Sequence, residues 1–445
     1  VKYGLNSTPP WKVTIPAAVQ WFIVTLSCSI AVPIVIGEVY GLSEVQTALF
    51  IQQTLFYIGL ASLIQAWIGH RYPMMEAPAG LWWSIFLMLA QIGATMGLAP
   101  MEIGQSFQVG MVISGLIFLI LGLTRSISKL QKLFTPAVTG TYMILLAISL
   151  ASNFIKGMLG VGYHGATTVL PNIALTSIVI IMIVLLCQKI KAVASFAVLI
   201  GMLAGWGTYA LMGWTDPIRE SSALITVPRL FFWGPFHWDL GIVVTCVLTT
   251  LILLTNLITS IAVIGETTEE KAEKRHFDKG GVFTGVSHLI SGLAGVVGMI
   301  PLTLAAAFIQ TTKIASRLPF ILAMTFMMII GLLPSISNIL ATLPTPVAYA
   351  AMFVAYAQIL GFGLRDFKKV PFNERTIIVV GCSLLLGLGI MFVAPDAWKT
   401  LHPMLSFLCS NGLLVGVLLV LLLEHIIYPN RAVQTVDTKK DESAS

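Results

Sequence analysis

The sequence predicts an all-α polytopic membrane protein of fourteen transmembrane segments. Three observations predict it. Of 445 residues, 57% are hydrophobic and only 10% charged, with a mean hydropathy of +0.92, where a soluble chain carries about 25% charge. The apolar residues fall in long blocks, and a bilayer core of about 30 Å takes roughly 20 helical residues to cross. The cations divide unevenly between alternate loops, as a real topology requires. Together these exclude a soluble enzyme, a disordered chain and a nucleic-acid binder.

Residues 1–13 are polar and proline-containing, and the block after them is too long for a cleavable signal. The first four segments are 14–36, 46–69, 73–96 and 103–123, the third opening on Pro73 and Pro78. Segments five to seven are 134–155, which opens on Thr135-Pro136, 172–189 and 194–213. The eighth, 239–264, is followed by a mixed-charge cytoplasmic loop, 265–280. Then come 281–298, the short proline-containing tenth segment 300–312, and 318–334. The last three are 344–363, 376–394 and 405–428, with a polar tail at 429–445. Short or proline-interrupted segments at matching places point to a transporter site.

With both termini in the cytoplasm, 21 of the 25 Lys+Arg fall in inner stretches. Only Lys156, Arg219, Arg229 and Lys399 fall outside. Lys129 and Lys132 belong to a basic amphipathic stretch suited to the inner interface. A trace of duplication adds to this. Residues 133–143 and 343–353 each carry Thr-Pro at the start of an apolar helix, the fifth and the twelfth. Pro73 and Pro301 open the third and tenth. Both pairs lie seven segments apart, so the repeat is inverted in the membrane.

Acidic residues within membrane segments are costly and mark function by default. Glu76 is such a residue, in the stretch 69–83. His70 and Arg71 mark the cytoplasmic edge there. An extended 72–76 carries Glu76 roughly 16 Å inward, whereas a helical one leaves it at the interface, paired with Arg71. Pro73 and Pro78 favour the extended form. Pro78 suits the first turn of the next helix, whose free N–H groups can donate to a substrate carbonyl. Trp82, Trp83 and Phe86 follow, either to stack on a flat heteroaromatic or to pack. His288 reads as a packing contact, with a proton relay as the other reading. The five cysteines lie in apolar blocks and read as small buried side chains. Neither metal ligands nor a cofactor motif nor a catalytic constellation is present, which argues against an enzyme or a primary pump.

Certain residues recur in a familiar order. Tyr3-Gly4-Leu5 with Pro9-Pro10, Gln20, and the run 32–37 come first. Leu63-Ile64-Gln65 with Gly69, Arg71 and Pro73, the run 133–140, and Ser316-Arg317 follow. With these the chain resembles the nucleobase–cation symporter family, in its uracil/xanthine/urate permease branch. Residues 75–83 and 410–416 are similar to those of poorly characterised purine permeases.

The resemblance implies a 7+7 inverted repeat. A core domain (14–124 and 236–334) would hold substrate between short extended stretches of segments 3 and 10. A gate domain (125–235 and 335–428) would move against it. It also implies proton-coupled import of a nucleobase across the plasma membrane, and a homodimer through the gate. The implied site is Glu76, Ala77, Ala79 and Trp82, Thr255 or Asn256 in segment 8, and Thr303, Leu304 and Ala305 in segment 10. The departures matter. The family's glutamate of segment 8 is replaced at Thr255-Asn256, its segment-10 acid at Leu304, and its Gln-His pair reads Gln20-Trp21. Glu76 lies three residues after Pro73 and Leu304 three after Pro301. Glu76 is therefore expected at the pseudo-symmetric position of the lost acid, as substrate ligand and proton-coupling group. The alternatives are an anion carrier on the same fold and a transport-inactive sensor or partner subunit.

Overall fold

The structure is a computed structural model that describes residues 1–429 except 96–97, 128–132, 191–192, 219, 222 and 399. The basic stretch with Lys129 and Lys132, and tail residues 430–445, lie outside the described residues.

The apolar blocks fall on helix, the third and tenth carrying a short strand before it. The first is broken: α1 (Trp11–Ser29) and α2 (Ala31–Val39) part at Ile30. Pro33 causes this, because its ring opposes the carbonyl four residues earlier and it has no N–H to donate. Next is α3 (Glu44–Trp67), opened by a Ser43/Gln46 capping box. After β1 (Glu76–Pro78) come α4 (Gly80–Thr95) and α5 (Pro100–Leu123). Then follow α6 (Pro136–Met158), capped by Thr135, α7 (Pro171–Lys189) and α8 (Ala197–Leu211). Asp239 caps α9 (Leu240–Thr267), and α10 (Lys274–Ala294) leads to β2 (Met299–Pro301). The remaining helices are α11 (Leu304–Thr312), α12 (Arg317–Ile330), α13 (Pro334–Ala341), α14 (Thr345–Phe367) and α15 (Glu374–Met391). The last block splits at Asn411, whose side chain caps α17 (Gly412–Leu422) after α16 (Pro403–Ser410).

Among the described residues, seven helices are long and apolar enough to cross a membrane, or eight if α12 and α13, bent by 86°, form one span. The apolar windows of α3 and α9 are 72% buried, those of α7 and α15 only 22% and 28%. So α3 and α9 are central, while α7 and α15 turn much of their surface outward.

The helices pack in definite pairs: α5 with α10, α3 with α12, α1 with α12, α9 with α5, α6 with α14, α7 with α8, and α15 with α17. Glycines set the closest of these. A Cβ at Gly115 would come within 2.8 Å of Gly285 O, and one at Gly285 within 2.7 Å of Gly115 O. Small residues let backbones approach where lipid supplies no hydrophobic drive between helices.

After α8 a strap runs across to α9. Thr226 N–H donates to Leu332 O (2.9 Å), Arg229 N–H to Gln53 Oε1 (3.2 Å) and Phe231 N–H to Leu293 O (2.7 Å). Trp233 is buried, and its Nε1–H donates to Gly295 O at 2.8 Å. The strap thus bonds to α3 and α10.

Of the cysteines, expected to be small and buried, Cys246 is buried, but Cys382 is exposed on outward-facing α15.

Candidate functional site

The site is built where α3 ends. Gln65 lies in its last turns and is fully buried. Its Nε2–H donates to Gly280 O (3.0 Å) and Thr284 Oγ1 (2.9 Å), tying α3 to α10. Its Oε1 accepts the His70 N–H at 3.2 Å, and its carbonyl accepts the Arg71 N–H at 3.0 Å. These bonds hold Arg71 at φ +63°, a left-handed conformation uncommon outside glycine. The chain therefore doubles back, with Met74 N–H donating to Tyr72 O at 2.9 Å. The expected straight run over 72–76 is not formed; the strand itself is Glu76–Pro78.

The reversal lays His70 against Glu76. His70 Nε2 lies 3.3 Å from Glu76 Oε1, and neither side chain has exposed surface. His70 Nδ1 accepts the Tyr72 N–H at 3.0 Å. Glu76 N–H donates to Ser62 Oγ at 2.9 Å, and Glu76 Oε2 has no partner among the described residues. The side-chain neighbour of Glu76 is thus His70, not the Arg71 of the helical alternative, and His70 is fully buried. Ser62, Gln65 and His70 were missed as site residues. Ser62 and Gln65 did carry a signal, as uncharged polar residues inside an apolar block.

Strands β1 and β2 pair antiparallel, Glu76 with Pro301, Ala77 with Ile300 and Pro78 with Met299. Ala79 N–H to Gly298 O (3.1 Å) and Leu302 N–H to Met75 O (3.0 Å) extend the ladder at both ends. Each strand then enters a helix, α4 at Gly80 and α11 at Leu304, so two helix N-termini flank the pair. Such termini present N–H groups without intrahelical partners and favour acceptors. Ala77, Ala79 and Ala305 are buried and small; Thr303 is half-buried, and Leu304 is 36% exposed.

On α9, Ser260 Oγ–H donates to Pro301 O at 2.8 Å and lies 3.4 Å from Asn256 Oδ1. This brings Asn256, partly exposed, toward β2, while Thr255 is buried one position before it. Ser260 was also missed. Trp82 is fully buried, with its Nε1–H donated to His288 Nε2 at 2.9 Å and its ring edge-on to Phe107. His288 Nδ1 in turn lies 2.9 Å from Thr284 O. The packing reading of His288 fits this geometry. A separate cavity of about 520 Å³, lined by Tyr163, His164, Asn172, Trp214 and Asp216, shares no residue with the strand pair. The chemistry argues for the strand pair, where backbone donors and a buried carboxylate converge.

The sequence profile described as "Permease family", of the xanthine/uracil permeases, matches residues 12–395. The chain belongs to this family. The permease is 33% identical to "Putative purine permease YwdJ" of Bacillus subtilis, over 90% of this chain and 93% of that one. It is 27% identical to the uric acid permease PucK of the same organism, over 92% and 94%. To a Bacillus subtilis xanthine permease the identity is 24%, over 93% of each chain. Among solved structures it resembles the transmembrane domain of a cyanobacterial bicarbonate transporter, BicA, at TM-score 0.63 and 15% identity. That likeness covers 94% of this chain and 98% of the other. The murine anion transporter Slc26a9 matches at TM-score 0.65 and 10% identity, over 95% and 69%. At these identities the likeness concerns the fold alone: the permease is a multi-pass membrane protein with a helical transporter architecture.

Proposed function

We propose that this permease imports a purine or related base, of the xanthine, urate or uracil type, together with protons and by alternating access. The observation that carries the reading is Glu76, a fully buried carboxylate in register with Pro301, where the two halves of the chain pair. Relatives named for uric acid and xanthine support the substrate class. A carboxylate accepts ring N–H groups when ionised and can carry a proton when neutral, so one group can serve both base and proton. Ala77, Ala79, Thr303, Leu304 and Ala305 would supply the wall and backbone donors around the base. Thr255 or Asn256 would stand where relatives of this branch keep a second acid, and Trp82 would bound the site from behind.

The fourteen segments would form a 7+7 inverted repeat. Numbering them by block, the observed pairs 4–9 and 11–2, 8–4 and 1–11, and 6–7 and 13–14 exchange under a shift of seven, while 5–12 maps onto itself. A core of segments 1–4 and 8–11 would move against a gate of 5–7 and 12–14, with both termini cytoplasmic in the plasma membrane. The gate's outward-facing helices would form a homodimer.

The test is uptake of radiolabelled xanthine, urate and uracil, with and without a protonophore. Wild type should accumulate at least one base in a protonophore-sensitive manner, and Glu76→Gln should lose accumulation while keeping surface expression. A silent panel at normal expression would favour the sensor or partner-subunit reading. Electrogenic anion uptake with no base transport would favour the anion carrier.

A further inference from the structure

We propose that His70 is a neutral positioning residue that fixes Glu76 as the sole proton carrier of the pair, with Oε2 the atom that takes the proton. The argument starts from the Tyr72 backbone. A peptide N–H can only donate, and this one points at His70 Nδ1 from 3.0 Å. Nδ1 must therefore be the bare nitrogen of the ring, so the hydrogen of a neutral imidazole sits on Nε2. Nε2 lies 3.3 Å from Glu76 Oε1 and donates to it.

Protonating His70 at Nδ1 would set two donors, N–H against N–H, face to face in a fully buried place. Protonating Glu76 at Oε2 breaks nothing, because that oxygen is buried without a partner among the described residues. One proton from hydronium adds to an Oε2 lone pair and leaves water behind, the carboxylate becomes neutral, and His70 keeps its single hydrogen. Release reverses this step.

Charged and titratable groups approach the pair from several elements. The 68–75 turn brings Arg71 and Tyr72; α3 brings Ser62 and Gln65 near the pair, with Glu44 at its far end. The approach to α10 and its first turn bring Glu270, Glu273, Arg275 and His276, and the start of α12 brings Arg317. α1 carries Lys12 and Cys28, while α4, β2 and α11 carry no acid, base or thiol. Tyr72 closes the pair off from the cytoplasmic cluster, its hydroxyl donating to Glu270 O at 3.0 Å and its ring 5.3 Å from that of His276.

The use of the proton rests on the transport reading; its location does not, and the test separates them. Infrared difference titration of the purified full-length protein should reveal a protonated-carboxyl band that grows as pH falls and is absent from Glu76→Gln. In His70→Leu the carboxylate loses its donor, and the midpoint should rise by about one to two pH units. His70→Gln, whose amide N–H reaches the place of Nε2, should restore most of the wild-type midpoint. Nitrogen NMR of histidine-labelled wild type should find His70 with Nδ1 bare and Nε2 protonated on both sides of the midpoint. That measurement decides the matter even if His70→Leu does not fold. A second proton on His70 across the titration, or a band that survives Glu76→Gln unchanged, would overturn the proposal. A Glu76 band together with a silent uptake panel would sink the transport reading and leave this one standing.

Discussion

Trp82 sits where a base-stacking residue was expected, yet its indole N–H is committed to His288 and its ring to Phe107. Trp82→Phe keeps most of the ring and leaves His288 Nε2 without its donor. Losing one partner of a buried bond costs about 1–3 kcal/mol, so the melting temperature in detergent should fall. If the residue only packs, the KM for the transported base should stay within about twofold, since no substrate contact is lost. A KM rise with an unchanged melting temperature would instead restore the stacking role. At this scale, legibility followed chemistry. Glu76 stood out because an acid inside an apolar block is costly. His70 did not, because its place depends on a left-handed Arg71 and on bonds from Gln65, none of which spacing reveals. Asn256 was legible only by its family position; Ser260, which joins it to β2, has the same polarity as many serines that merely bond their own helix.

Elements were read from their apolar blocks, and they differ from them where single residues intervene. Pro33 divides the first block and Asn411 the last. The segment 335–343, taken as a connection, carries most of α13, opened by Pro334 at its first turn. The third and tenth blocks became strand and helix because prolines favour extended backbone in the residues before them. Helix partners were less legible than helices, since glycine is common in apolar segments and only the packed molecule separates contact glycines from the rest. Gly285 is a contact glycine: beyond Gly115 O, its added Cβ would meet Leu119 N at 2.6 Å. Gly285→Val should force α5 and α10 apart at a cost of about 1–3 kcal/mol, seen as a lower melting temperature. Gly207→Val, where a Cβ meets nothing within 4 Å, should have a far smaller effect.

At the level of the whole molecule, the charge asymmetry of the loops makes a topological claim. A cysteine at exposed Thr168 and one at exposed Lys271 should label oppositely with a membrane-impermeant maleimide. In a background without the five native cysteines, Thr168→Cys should react in intact cells and Lys271→Cys only after permeabilisation. Reaction of both from outside would invert or break the topology. The multi-pass character was legible in the sequence, because lipid imposes a length rule on each apolar block. The strand register was not legible, because Glu76 and Pro301 meet only through pairing across more than two hundred residues of chain.

The strap between α8 and α9 bears on the proposed alternating access. Its far part is anchored at Thr226, Arg229, Phe231 and Trp233, while its near end leaves α8 at Leu211. The thirteen residues 213–225 could span at most roughly 45 Å if fully extended, so under the proposed movement of gate against core they would act as a leash. Slack, rather than strength, is what such a leash would contribute: it would limit how far core and gate could slide without steering them. Deleting half of 213–225 should shorten the stroke and slow turnover while base binding persists.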